Sequence, residues 1–90
     1  MQCSTDNFGC GGGSMELAFQ YLEGPGQNTE ANYPYVSGEG RTGSCDYDLE
    51  GGPVKTTGLY QVMPDLPSQL IAAIQKTVVS VAIEADQPVF

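Results

Sequence analysis

The segment 24–53 constrains the fold of this chain more than any other feature. It contains Gly24-Pro25-Gly26, Gly38-Glu39-Gly40 and Gly51-Gly52-Pro53, with little apolar periodicity between them. This pattern predicts turns and ordered loop instead of a helix or a strand. A loop of this length inside a chain of 90 residues is usually functional or cross-linked, because otherwise it would be disordered. With 40% hydrophobic residues, the chain has material for only a thin core.

Apolar residues at helical spacing precede this segment. Met15, Ala18, Phe19 and Leu22 fall on one face of a helix. Ser14 is a favourable N-cap residue. The sequence therefore predicts a helix at about 14–23.

After the loop, three further elements are expected. Residues 58–62 resemble a short strand. Apolar residues among 69–77 form a helical face, and Pro67 suits a first helical turn with Asp65 or Ser68 as the cap, so we expect a helix at about 67–77. The β-branched run at 78–84 predicts a buried strand. The chain ends at Phe90 without a turn or cap, which is expected of a sequence that stops inside a domain.

Charge and apolar length argue against two classes of partner. The chain has three basic and eleven acidic residues, a net charge of −8. So few cations cannot supply the phosphate contacts that nucleic acids or anionic membrane surfaces require. Its longest apolar runs, at 70–74 and 78–83, are far shorter than the roughly 20 residues of a membrane span. We expect neither nucleic acid nor membrane as a partner.

The chain contains no histidine. No Cys–His or Ser–His nucleophile pair can therefore form within it, and no imidazole zinc site either. An enzyme of such a class that includes this sequence must draw its base from elsewhere.

The three cysteines, Cys3, Cys10 and Cys45, leave one over in any disulfide scheme. There are three alternatives. Two cysteines form a disulfide and the third pairs with a partner outside the chain, or all three are reduced buried thiols, or they ligate a metal. The metal site lacks a closely spaced cysteine pair and a fourth ligand. The acidic run at 46–51 resembles half of a calcium loop, but Thr57 stands where the loop needs glutamate. We expect no metal and no cofactor.

The stretch Cys10-Gly11-Gly12-Gly13-Ser14 lies at a helix start. Backbone amides there can cradle an anion. Glycines also permit the close approach of a peptide backbone. The third interpretation of this stretch is a tight turn into the helix, with neither an anion nor a peptide bound to it.

The order of motifs resembles papain/cathepsin-type cysteine proteases. The motifs are Gln2-Cys3-Ser4, then Gly9-Cys10-Gly11-Gly12-Gly13-Ser14-Met15 with Ala18-Phe19-Gln20-Tyr21, then Tyr33-Pro34-Tyr35 with Cys45 and Tyr47, and finally Ser80-Val81-Ala82-Ile83-Glu84-Ala85 up to Phe90. Each motif alone is weak, but four in order cover nearly the whole chain. The resemblance places the catalytic cysteine before Gln2 and the catalytic histidine and asparagine after Phe90.

The resemblance also implies roles for five residues. Gly12 and Gly13 match glycines whose backbone pairs with an extended substrate peptide. Met15 and Ala82 match side chains of the apolar pocket that sets cleavage preference, and such a pair would leave room for Leu, Phe or Val. Ser14 stands where a larger apolar or aromatic residue is usual and borders the neighbouring subsite.

The cysteine pairing follows from the same resemblance. It joins Cys3 to Cys45 and gives Cys10 a partner outside the chain. A closed loop of this length is worth about 4 kcal/mol by the chain-entropy estimate.

The resulting interpretation is an α+β fragment of the two-lobed papain-like fold, an incomplete single protease domain. Residues 1–53 would belong to the helical lobe and 54–90 would begin the β lobe. The parent would be a cysteine endopeptidase acting on peptide or protein substrates, located in a lysosome or digestive vacuole or secreted, and this chain alone would be inactive. The alternative is a non-catalytic, acidic, disulfide-stapled extracellular binding module or an inactive protease relative.

Overall fold

The computed structural model describes residues 2–46 and 52–90. The chain divides into two compact units, Met1–Leu59 and Tyr60–Phe90. The helices of the described residues are a 3-10 turn at Gly9–Gly11, α1 at Met15–Glu23 and α2 at Pro67–Ile74. An isolated antiparallel bridge joins Gln27 to Val54. Tyr47, Asp48, Glu50 and Gly51, which carry parts of the proposed motifs, lie outside the described residues.

Helix α1 begins one residue after Ser14, as its apolar spacing predicts. Ser14 is the N-cap residue in extended geometry, but its side chain makes no capping hydrogen bond. Glu16 lies in the first turn, where a negative charge favours the helix dipole. At the other end, the backbone N–H of Gly24 donates to the Tyr21 carbonyl, 3.2 Å away, and closes the last turn.

Two chain segments close the base of the long loop in the first unit. Gln27 and Val54 exchange both backbone hydrogen bonds (2.6 and 3.3 Å), and the Gly52 N–H donates to the Pro25 carbonyl at 2.9 Å. Gly26 has a φ of 80°, and a Cβ there would lie 2.7 Å from the Gly52 carbonyl oxygen. The two backbones therefore approach closely only because both positions are glycine.

The segment 54–57 is also attached to helix α1. The Thr56 hydroxyl donates to the Phe19 carbonyl at 2.7 Å. Its backbone N–H reaches the Leu22 carbonyl at 3.4 Å. The chain that follows the loop is thus joined to the helix that precedes it.

The disulfide Cys3–Cys45, which the family resemblance implies, is present and spans a sequence separation of 42 residues. Tyr33 lies beside it. The Tyr33 hydroxyl accepts a hydrogen bond from the Asp46 N–H (2.8 Å) and lies 2.8 Å from the Gln2 side-chain amide. The loop is therefore fastened to the start of the chain by one covalent bond and one bridging phenol.

Helix α2 is shorter than the sequence predicts. It ends at Ile74, before the predicted end at 77, where the Lys76 N–H donates to the Ala73 carbonyl at 3.0 Å, three residues back instead of the four of an α-helix. Pro67 occupies the first turn as expected, but the N-cap is Leu66, which has no capping side chain, instead of Asp65 or Ser68.

The predicted strands at 58–62 and 78–84 are not confirmed. Neither segment forms a strand in the described part of the chain. A strand is completed by backbone hydrogen bonds to a neighbour, and no described residue supplies them to 78–84. The helical component of the expected α+β fold is present, and its strand component is not confirmed among residues 2–46 and 52–90.

No apolar side chain is buried among residues 2–46 and 52–90. The sequence predicts a buried strand at 78–84, but Val78, Val81 and Ile83 are all exposed. The two helices of that range are also too short or too polar to cross a bilayer. Order in the first unit therefore depends on hydrogen bonds and the disulfide more than on burial.

Candidate functional site

The glycine-rich turn before α1 is closed by its own backbone. The Phe8 N–H donates to the Gly12 carbonyl at 2.8 Å, and the Gly11 N–H donates back to the Phe8 carbonyl at 2.9 Å. The Gly12 N–H reaches the Gly9 carbonyl at 3.2 Å. Gly12 has a φ of 98°, which glycine adopts without strain. Both backbone polar groups of Gly12 are therefore engaged inside the turn.

Gly13 differs from Gly12. Its N–H and C=O make no hydrogen bond with any residue in the described ranges, and it is exposed. It lies between a closed turn and the first turn of α1, so its backbone is held in place on both sides. An exposed N–H and C=O on one residue can exchange two hydrogen bonds with an extended peptide.

Asn7 holds Gly13 and Ser14 in this position. Its side-chain oxygen accepts the Ser14 N–H at 2.7 Å, and its side-chain nitrogen donates to the Ser4 hydroxyl at 3.0 Å. A Cβ at Gly13 would overlap the Asn7 side chain. Sequence reasoning missed Asn7, although a short amide side chain just before a glycine-rich turn is a usual residue for such backbone bonds.

Thr42 anchors the other side of the turn. Its hydroxyl accepts the Cys10 N–H at 2.8 Å, and a Cβ at Gly9 would overlap its side chain. The sequence left open an anion site formed by the backbone amides of this turn. The N–H groups of Cys10, Gly11 and Gly12 all donate within the chain, so they are not available to bind an anion. The Cys10 thiol is free and exposed.

The two predicted pocket residues lie in different units. Met15 is the first residue of α1 and is 41% exposed. Ala82 is exposed in the unit Tyr60–Phe90. That they line one pocket stays a prediction, as does the role of Ser14.

The described residues contain no group of three or more metal-ligating side chains. Cys3 and Cys45 are consumed by the disulfide, so the three cysteines cannot ligate a metal together. Asp48 and Glu50 of the calcium-like run lie outside the described residues.

Comparison with known families agrees with the order of motifs. The model of the papain family cysteine proteases matches residues 1–90. The chain belongs to the papain family. The turn with Gly12 and Gly13, the disulfide and α1 are therefore parts of a papain-family domain.

Individual relatives have the same character. A cathepsin L-like proteinase of Fasciola hepatica is 40% identical over 83 residues, which cover 89% of this chain and 24% of that protein. Cysteine proteinase 5 of Dictyostelium discoideum is 36% identical, with 100% and 26% covered. Procathepsin L of Rattus norvegicus is also 36% identical, with 98% and 26% covered. This papain-family chain thus spans about a quarter of the length of the curated relatives it matches. No solved structure matches it significantly.

Proposed function

We propose that this papain-family chain supplies part of the substrate-binding face of a cysteine endopeptidase. The observation that carries the proposal is the exposed backbone of Gly13, whose N–H and C=O have no partner among the described residues. An extended substrate would exchange two hydrogen bonds with Gly13, as a short β-type addition. Gly12 would support the turn instead of contacting the substrate, since both its polar groups are engaged.

The chemistry of the parent would be attack by a cysteine thiolate on a peptide carbonyl, followed by hydrolysis of the acyl-enzyme. The thiolate needs a histidine beside it, and this chain has none. The nucleophile and the base would therefore come from other parts of the protein. The chain alone would be inactive, because removing the base removes most of the catalysis.

Met15 and Ala82 would form walls of the pocket that selects an apolar substrate side chain, and Ser14 would border the next subsite. A flexible thioether opposite a methyl group leaves a roomy apolar space. The lobe boundary would lie near residues 52–57. The disulfide favours an oxidising location, that is, a lysosome, a digestive vacuole or the extracellular space.

Backbone pairing at Gly13 is tested with modified substrates of the full-length protease. In an extended peptide, both polar groups of one residue point to the same side, and those of the next residue point away. N-methylation of the substrate amide that faces Gly13 should lower kcat/KM about tenfold or more, since it removes a hydrogen bond worth about 1 kcal/mol and adds a methyl group. N-methylation of the next residue is the matched control. Equal losses at both positions would rule out the pairing.

The pocket is tested by Ala82→Phe in the same protein. Filling the space should reduce discrimination in favour of bulky apolar side chains by roughly 1–3 kcal/mol. Ala85→Phe is the control in the same segment. An unchanged substrate preference would show that Ala82 is not a wall of the pocket.

The alternative function is a non-catalytic binding module. The acidic net charge and the Cys3–Cys45 disulfide suit a binding module as well as they suit a protease. Peptidase activity of the full-length protein that a thiol-directed inhibitor blocks would exclude this alternative, and its absence would overturn the protease proposal.

A further inference from the structure

We propose that a pocket in the loop of the first unit binds a cationic group, an ammonium or a guanidinium. The pocket has a volume of about 270 Å³, and its lining includes Gln27, Glu30, Tyr33, Tyr35, Val36 and Ser37. It lies apart from the Gly13 turn, shares no lining residue with it, and does not depend on the proposed protease function. Its size suits one side chain or a small amine, because pockets for drug-sized ligands are larger.

Ser37 is the first observation that points to a ligand. The residue is only 3% exposed, yet its hydroxyl has no hydrogen-bond partner in the described part of the chain. Its own carbonyl accepts the Gly40 N–H at 2.9 Å, which fixes the backbone. A buried hydroxyl without a partner is costly. A change of the Ser37 rotamer would turn the hydroxyl towards the pocket, where a donor brought by a ligand would satisfy it.

Glu30 supplies the charge. One of its carboxylate oxygens accepts the Tyr35 N–H at 3.0 Å, which holds the group at the pocket wall. No ion pair joins it to any lysine or arginine that the structure describes. Its negative charge is therefore available to a ligand that enters the pocket.

The aromatic residues of the lining favour the same ligand. The Tyr33 hydroxyl is held by Asp46 and Gln2, so this ring cannot swing out easily. Tyr35 is 63% exposed. Cations bind to tyrosine rings through the ring quadrupole. An ammonium or guanidinium group also has only donors, which suits a pocket whose lining includes the Glu30 carboxylate and the Ser37 hydroxyl.

The overall charge of the chain also favours a cationic ligand. A net charge of −8 concentrates cations and repels anions near the surface. A phosphate or carboxylate ligand would face both Glu30 and this field. The cation can come from a basic side chain of a peptide or from a free amine, and these two sources share the chemistry that the pocket recognises.

The experiment is a titration of the oxidised full chain followed by NMR of its backbone amides. The probes are acetyl-arginine N-methylamide for a peptide source, agmatine for a free amine, and acetyl-norleucine N-methylamide as the neutral control. We expect shifts concentrated at residues 30–37 with at least one cationic probe and none with the neutral one. Tighter binding of one cationic probe identifies the source. Equal responses to the neutral probe, or no response to either cation, would overturn the proposal.

Variants separate the pocket from diffuse attraction. Glu30→Gln keeps an oxygen for the Tyr35 N–H but removes the charge, and it should weaken binding at least tenfold. Glu39→Gln removes one charge from the same loop outside the pocket lining and should leave the affinity unchanged. Similar losses in both variants would mean that net charge alone binds the probe. Ser37→Ala should weaken binding at least threefold. If a variant fails to fold, the comparison of probes on the unmodified chain still decides the matter.

Discussion

The two units of this chain are ordered by different means. In Met1–Leu59, a long loop is held by a disulfide, an antiparallel bridge and hydrogen bonds from Tyr33 and Thr56. In Tyr60–Phe90, the described order is one helix of eight residues and a few local backbone bonds. Isolated helices shorter than about 12–15 residues are marginal in water. No apolar side chain is buried in the part of either unit that the structure describes. The difference between the units therefore shows how far cross-links can replace a core.

The disulfide should account for the largest part of this difference. Replacing Cys3 and Cys45 by serine should destabilise the first unit by about 4 kcal/mol, because the unfolded loop regains its freedom. Amide hydrogen exchange should then lose protection at Asp46 and Gln27 but not within α2. Cys10→Ser, which removes a free thiol, is the control. Equal loss of protection in both units would show that they are not ordered independently.

The close contact between the loop ends should have the next largest effect. Gly26→Ala places a Cβ against the Gly52 carbonyl at a positive φ, and we expect a cost of about 1–3 kcal/mol. Gly24→Ala is the matched control, since its φ is −90° and its Cβ would lie 3.8 Å from the nearest atom considered. Urea unfolding measures both. An equally stable Gly26→Ala chain would contradict the assigned approach of the two backbones.

The attachment of the loop to α1 should contribute less. Thr56→Val removes the hydroxyl that donates to the Phe19 carbonyl and should cost about 1 kcal/mol. Thr57→Val makes the same chemical change at an exposed neighbour and should cost nothing measurable. The difference between the two variants in urea unfolding gives the value of this one bond. No difference would mean that the Thr56 hydroxyl does not hold the loop.

The smallest expected effect is a gain in the second unit. Leu66 is the N-cap of α2 and cannot cap it, so Leu66→Asp should stabilise the helix by about 0.5–1 kcal/mol. Far-ultraviolet circular dichroism of the full chain should show more helix. Leu66→Ala, which removes the same leucine without adding a cap, is the control. The same gain from alanine would attribute the change to the loss of leucine.

Local sequence rules predicted what depends on neighbours in the chain. The start of α1 at Met15 and the first turn of α2 at Pro67 followed from periodicity and from proline geometry. These rules failed at the end of α2, where the Lys76 N–H turns to the Ala73 carbonyl and the helix stops at Ile74. The strand prediction at 78–84 was not confirmed either, because β-branched residues favour a strand but cannot supply its neighbour.

The sequence by itself determined the family, through the order of its motifs, and excluded a histidine-dependent active site within this chain. Only the tertiary structure distinguished Gly12 from Gly13, since both residues read alike in sequence but one has its polar groups engaged and the other does not. Only the structure brought Glu30 and the buried Ser37 into one pocket, and Asn7 beneath the glycine turn. Hydrogen bonds between distant residues depend on the folded path of the backbone, and no local propensity encodes them.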